Sequence, residues 1–206
     1  MKLLYTSSKY NITAEDFQDH NFTMPDLSIF KTPAPYHILT YGTLLGTQFF
    51  QSFINGIVSY KSLPRPQFSV LQQNLFPIYF SLQTALPAVL AITYPGSKTL
   101  LGTASGLAGA FAETNRWSVL VPLATMFVTG LANLAVLGPA TTKIMKERKH
   151  QETRDGKKSY DAAPHSKEME RLNKAFGQMH GISSLVNMFS LIATMWYGVT
   201  LADRLQ

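Results

Sequence analysis

Cysteine is absent from the 206 residues, which excludes disulfides, thiolate metal sites and a cysteine nucleophile. Charge is scarce as well: Asp, Glu, Lys and Arg make up 15% of the chain, against roughly 25% in soluble domains. Its distribution is uneven, for residues 36–60, YHILTYGTLLGTQFFQSFINGIVSY, hold no charged side chain. No Gly-rich phosphate loop, HExxH, GxSxG or acidic pair inside an apolar run is present, so hydrolase and nucleotide-driven pump chemistry have no residues to rest on. The opening MKLLY carries one Lys but lacks the apolar core of about seven residues or more that a secretory leader needs. The first apolar run is therefore expected to serve as its own targeting signal.

What the chain has instead is a set of apolar runs long enough to cross lipid. At roughly 1.5 Å per residue, a helix over residues 36–60 exceeds the roughly 30 Å hydrocarbon core of a bilayer. Further spans are expected at about 74–94, 117–137 and 183–202. The fold class is thus all-α, an integral membrane four-helix bundle forming one domain over 36–206. Residues 1–35 read as a polar, poorly ordered tail closed by Pro33 and Pro35. Pro64 and Pro66 are expected to bar regular helix after the first span, and Pro87 to kink the second. The Gly-rich stretch 99–112 would be only about 21 Å long as a helix, and is expected to be interfacial or re-entrant. The hydrophilic loop 138–182 should hold two helical arms extending spans three and four, with a break at Asp155-Gly156.

Lys and Arg fix an expected orientation. With four spans, twelve of them fall on the side of loops 61–73 and 138–182, and six on the side of the termini and the middle loop. That bias puts the basic loop in the cytoplasm and both termini in a lumen or outside the cell. The sequons at Asn11 and Asn21 lie in the tail and agree with a lumenal N-terminus. The endoplasmic reticulum, another endomembrane or the plasma membrane are the compartments expected. Net charge is +6, but it sits in loops between apolar runs, which fits an anionic membrane leaflet better than nucleic acid.

Polar residues inside spans mark faces turned toward protein. Gln48, Gln51 and Asn55 share one helical stripe, and Gln83, Asn133 and Asn187 are the other intramembrane polar candidates. Gly42 and Gly46 form a small-xxx-small pair that suits close helix packing within the chain or a homodimer seam. By the same topology Arg65, Thr141, Thr142, His180 and Ser184 gather on the cytoplasmic face, where a guanidinium fork and hydroxyls suit an anionic headgroup or solute. His37 and His180 belong to opposite faces and cannot share a metal; no metal, cofactor or catalytic residue is expected.

Several stretches together resemble the transmembrane protein 205-like family, as a fungal member. They are His37, Gly42, Phe53 and Gly56; Ser62-Leu63-Pro64-Arg65, Phe68, Gln72, Leu75-Phe76-Pro77 and Tyr79-Phe80; Asn133, Pro139, Thr141-Thr142 and Met145; and Phe176, His180 to Leu185 and Asn187. The resemblance implies a four-span membrane protein of undefined activity, one member being associated with cellular tolerance of platinum drugs, and it implies no catalytic site. The function expected is non-enzymatic: binding or helping to move a small solute or lipid, with membrane lipids as surroundings. The alternatives are a membrane-embedded enzyme for a lipophilic substrate, with His180 or Tyr79 as acid or base, and a cargo-free membrane scaffold.

Overall fold

The computed structural model describes residues 27–99 and 102–203. They belong to two units, Met1–Thr32 and Pro33–Gln206. The described part of the first is a single 3-10 turn, Leu27–Lys31; the sequons at Asn11 and Asn21 lie outside the described residues. The second unit is built on four long helices.

Helix α1 covers 34–62 as three continuous pieces: Ala34–Phe49, a π-helical turn Phe50–Asn55, and Gly56–Ser62. Pro35 sits in its first turn, where no amide donor is needed. Only Leu63 and Pro64, both extended, separate it from α2, Arg65–Ile92. The sequence expectation of a longer break here is corrected: Pro66 occupies the opening turn of α2, the one place in a helix where its fixed φ and missing N–H do no harm. The helix continues through Pro77 and Pro87.

Residues 97–110 do not cross the bundle. They fold as a short antiparallel ribbon, β1 (Ser97–Thr99) paired with β2 (Gly102–Ala104) in the register Ser97 to Ala104, followed by the five-residue α3, Gly106–Ala110. Among the described residues this ribbon is the exception to otherwise helical elements. Gly106, at φ 62°, makes the turn into α3 and donates its N–H to the Tyr94 carbonyl at 2.8 Å.

Helix α4 runs as one rod over Glu113–Asp155 and α5 over Lys167–Ala202. Two π-helical turns interrupt α4, Arg116–Leu120 and Asn133–Leu137, each just before a proline, Pro122 or Pro139. A proline cannot donate to the carbonyl four residues back and crowds it, and a widened turn absorbs both problems. At the second, the Gly138 N–H bonds the Asn133 carbonyl, and a Cβ on Gly138 would lie 2.7 Å from that oxygen. Gly156 ends α4 in the left-handed region, and Ser166 caps α5 by accepting the Met169 N–H at 3.1 Å. The two rods are joined by residues 156–166 alone.

The helices pack in the cyclic order α1, α2, α4, α5, each against two neighbours. Leu44, Leu90, Tyr94, Val119, Leu123, Met126, Tyr197 and Leu201 form a buried core toward the amino end of α1. The backbones come close at Gly130 of α4, whose Cβ would stand 2.8 Å from the Gln83 carbonyl of α2. Pro87 has no N–H to give that carbonyl, so the absence of a side chain on Gly130 lets α4 cover the acceptor it leaves exposed. Gly198 likewise makes room for the Tyr41 ring. Gly42 and Gly46, by contrast, meet no atom within 4 Å of an added Cβ; the close packing their spacing suggests is not made among the described residues.

Among the described residues three helices, Arg65–Ile92, Glu113–Asp155 and Lys167–Ala202, are long and apolar enough to cross a membrane. The expected first span in α1 is not one of them: it matches α2 in length, but Gln48, Gln51 and Asn55 lower its hydropathy. The outward faces of the long helices nevertheless carry large exposed apolar side chains, among them Leu39, Val58, Ile78, Val128, Ile192 and Val199.

Gly130→Ala is expected to lower stability by about 1–3 kcal/mol through overpacking against α2, whereas Gly46→Ala should change it by no more than about 0.5 kcal/mol. Equilibrium unfolding in mixed micelles measures both; equal effects at the two positions would contradict the packing described.

Candidate functional site: a polar-cored cavity between four helices

Inside the bundle, side-chain amides and hydroxyls are spent on one another. Asn187 of α5 is the node: its Oδ1 accepts from Tyr79 Oη at 2.8 Å and from Gln83 Nε2 at 2.9 Å, both on α2. Its Nδ2 donates to Ser52 Oγ of α1 at 3.0 Å. One side chain thus ties three helices. A layer away, Gln48 Nε2 donates to Ser190 Oγ at 3.0 Å, and Asn133 Oδ1 accepts from Ser183 Oγ at 2.7 Å. Gln48, Gln83 and Asn133 are fully buried. Each cross-helix bond in apolar surroundings contributes on the order of 0.6–2 kcal/mol.

The rest of the expected α1 stripe turns along its own helix. Asn55 Nδ2 donates to Gln51 Oε1 at 2.9 Å, and Ser59 Oγ to Asn55 Oδ1 at 3.1 Å. Ser52 and Asn55 lie in the π-helical turn of α1 and Asn133 opens the last one in α4, so the widened turns place the polar groups. His37 is at the other end, 1% exposed, with Nε2 2.8 Å from Tyr197 Oη and Nδ1 3.0 Å from Thr93 Oγ1. It joins α1, α5 and the end of α2.

Beyond the Asn187 node the helices enclose a cavity of about 1340 Å³. Arg65, Thr141, Thr142, His180 and Ser184 all line it, as do Gln51, Asn133 and Asn187; Gln48, Asn55 and Gln83 do not. Its inner wall is aromatic and aliphatic, with Phe53, Ile57, Phe76, Phe80 and Leu134. Toward the 156–166 connection it becomes basic. There Arg65 lies over the Tyr60 ring at 3.6 Å, and Arg148 lies over Phe176 at 4.5 Å. Phe176 in turn stacks on His180, with centroids 5.8 Å apart and planes 4° from parallel. Thr141 spends its hydroxyl on the Leu137 carbonyl at 2.7 Å.

Sequence reasoning missed Arg148 and Glu152, and had Phe176 only as part of the resemblance. Burial pushes the Arg148 guanidinium down from its ordinary value, with the Glu152 carboxylate opposing. Glu152 Oε1 accepts from Ser159, N–H at 3.0 Å and Oγ at 2.5 Å, and its Oε2 lies 3.8 Å from Lys158 Nζ. It therefore pins the connection over the cavity mouth. Thr141, Met145, Arg148 and Glu152 recur at helical spacing on α4, a signal readable once that helix is known to continue unbroken. Ser52 and Ser190 were missed, and Ser183 was named only within the resemblance, because serine is too common in apolar helices to stand out alone.

Comparison with known proteins adds two findings. Residues 39–150 match a family model described as a domain of unknown function, DUF4149. A protein of Aspergillus fumigatus, described as "Xanthocillin biosynthesis cluster protein D", is 34% identical over 171 residues, which is 83% of this chain and 90% of that protein. No solved structure matches the chain. The family match contains most of α1, all of α2 and most of α4, and so takes in two of the three helices that meet at Asn187.

Asn187→Leu should strip partners from Tyr79, Gln83 and Ser52 and lower stability by about 1–3 kcal/mol. Asn55→Ala, which loses only contacts within α1, should cost less than about 0.5 kcal/mol. Unfolding followed by circular dichroism in micelles checks the pair; an Asn187→Leu variant as stable as the parent would show that the node does not hold the helices.

Proposed function

We propose, from the premise that the chain belongs to the DUF4149 family, that it is a multi-pass membrane protein that holds a small solute or lipid in the cavity between its helices. The single observation that carries this reading is the cavity itself: about 1340 Å³, with an apolar inner wall, a polar node at its base and a basic mouth. Pockets for drug-sized ligands measure roughly 300–1,000 Å³, so this one has room for a lipid or a comparably large lipophilic solute.

In this reading α1 is the fourth crossing. Its outward face carries Leu39, Phe49, Phe50 and Val58, all exposed, while its polar residues face the bundle or one another. The basic 138–182 region then lies in the cytoplasm and the termini in a lumen or outside, as the distribution of Lys and Arg supports. Within the family we place the chain with the transmembrane protein 205-like proteins whose motif residues it shares. Several of those, Phe68, Gln72, Phe76, Tyr79, Thr141, Phe176 and Asn187, line the cavity.

The role is binding or transfer, without catalysis. The polar atoms at the base of the cavity are amides and hydroxyls already bonded to each other, an arrangement suited to shape and hold a ligand. The relative's name ties that protein to a biosynthesis cluster, and handling of a small lipophilic product or its precursor is the corresponding role for this chain.

Protein extracted in a mild neutral detergent should retain a small amphiphile detectable by native mass spectrometry. Ser184→Trp, which puts a bulky ring into the cavity wall, should remain folded and lose it. Absence of any bound species in the parent protein, including after incubation with host lipid extract, would overturn the proposal.

A further inference from the structure

Within the cavity the hydrogen-bonding inventory is unbalanced. Among the described residues Arg65, Lys146, Arg148 and Lys149, with three further lysines, line it against the single carboxylate of Glu152, which is already engaged by Ser159 and Lys158. Two of the lining side chains have buried polar atoms with no partner, Gln72 Nε2 and Arg148 Nε. Both are donors. Gln72 is 6% exposed, so its amide cannot turn to bulk water, and a buried unmet donor costs about 1–3 kcal/mol. The buried acceptors without partners, Gln48 Oε1, Gln83 Oε1 and Asn173 Oδ1, belong to residues that do not line the cavity. The missing partner in the cavity is therefore an acceptor, and the surrounding charge asks for one that is negative.

The donors and the apolar wall lie in one space. Gln72 is one turn from Phe68 and Phe76 on α2, and Arg148 sits against Phe176 of α5. An inorganic anion would satisfy the donors and leave the aromatic wall uncovered; a neutral hydrocarbon would do the reverse.

We propose that the cavity ligand is an anionic amphiphile, with a phosphate or carboxylate head accepting from Gln72 and Arg148 near the mouth and a hydrocarbon or ring body along Phe76, Phe80 and Leu134. The proposal rests on the reading of this cavity as a binding site. The same chemistry is offered by an anionic membrane phospholipid and by a free alkyl phosphate or carboxylate.

The test uses the full chain in a maltoside detergent, titrated with dodecyl phosphate, dodecanol or inorganic phosphate and followed by native mass spectrometry and thermal shift. Dodecyl phosphate should bind one per chain, roughly tenfold or more tighter than either of the others, as expected for added charge-assisted hydrogen bonds. Gln72→Glu, isosteric but anionic, and Arg148→Met should each weaken dodecyl phosphate by about fivefold or more and leave dodecanol unchanged. Lys174→Gln, outside the cavity, should alter neither. Nanodiscs of phosphatidylcholine doped with phosphatidic acid separate the two sources: retention of phosphatidic acid identifies a membrane lipid, whereas binding of dodecyl phosphate without it identifies a free amphiphile. Equal binding of dodecanol and dodecyl phosphate, indifferent to both variants, overturns the anionic head while leaving a cavity that binds. Failure of every probe, with the parent folded, overturns the cavity reading as well.

Discussion

A polar side chain in apolar surroundings must find a partner, and Asn187 finds three. In lipid or in a packed interior, an amide left without hydrogen bonds costs several times what it contributes when paired. Asn187 meets that constraint by accepting from Tyr79 and Gln83 and donating to Ser52, so α1, α2 and α5 can associate in one register only. Gln48 with Ser190 and Asn133 with Ser183 repeat the device on either side. Apolar contacts alone would not discriminate registers, because lipid tails offer helices as much apolar contact as they offer each other. The node also sets the base of the cavity, since the side chains above it have room left between them.

Proline and glycine do complementary work in the same bundle. Pro87 frees the Gln83 carbonyl, and Gly130 allows α4 to approach it. Pro122 and Pro139 each follow a widened turn that keeps α4 a single rod from Glu113 to Asp155. Because α4 continues unbroken, Thr141, Arg148 and Glu152 stand on one face at the cavity mouth instead of being scattered along a loop. The fold thus converts helix-disrupting residues into the geometry that opens a basic vestibule over an apolar chamber.

The long apolar helices α2, α4 and α5 were legible in the sequence because long uncharged runs would have no other stable form in lipid. The five residues expected on the cytoplasmic face, Arg65, Thr141, Thr142, His180 and Ser184, do line one cavity, since alternating helix direction alone brings those chain positions to one end. What could not be read was finer. The ribbon of Ser97–Thr99 and Gly102–Ala104 has strands of three residues, too short to show a periodicity. Pro66 was misjudged because a proline in the first turn and a proline that ends a helix look alike until the helix start is known. Gly42 and Gly46 have the spacing of a packing seam, yet the close approaches are made at Gly130 and Gly198; spacing cannot reveal which glycine faces a neighbour. Gln72 was visible only as part of a resemblance, and its unmet amide appears only once α2 is set against the cavity.

All of this stands on four helices crossing a membrane with the cavity mouth on the side of the basic connection. The native chain has no cysteine, so single cysteines at the exposed positions Tyr36, Lys61, Ser105 and Lys158 can be probed in sealed membranes with an impermeant maleimide. Labelling of Lys61→Cys and Lys158→Cys from the cytoplasmic side alone, and of Tyr36→Cys and Ser105→Cys from the opposite side alone, is the result predicted. Labelling of Tyr36→Cys and Lys61→Cys from the same side would show that α1 does not cross, and would contradict the account at its foundation.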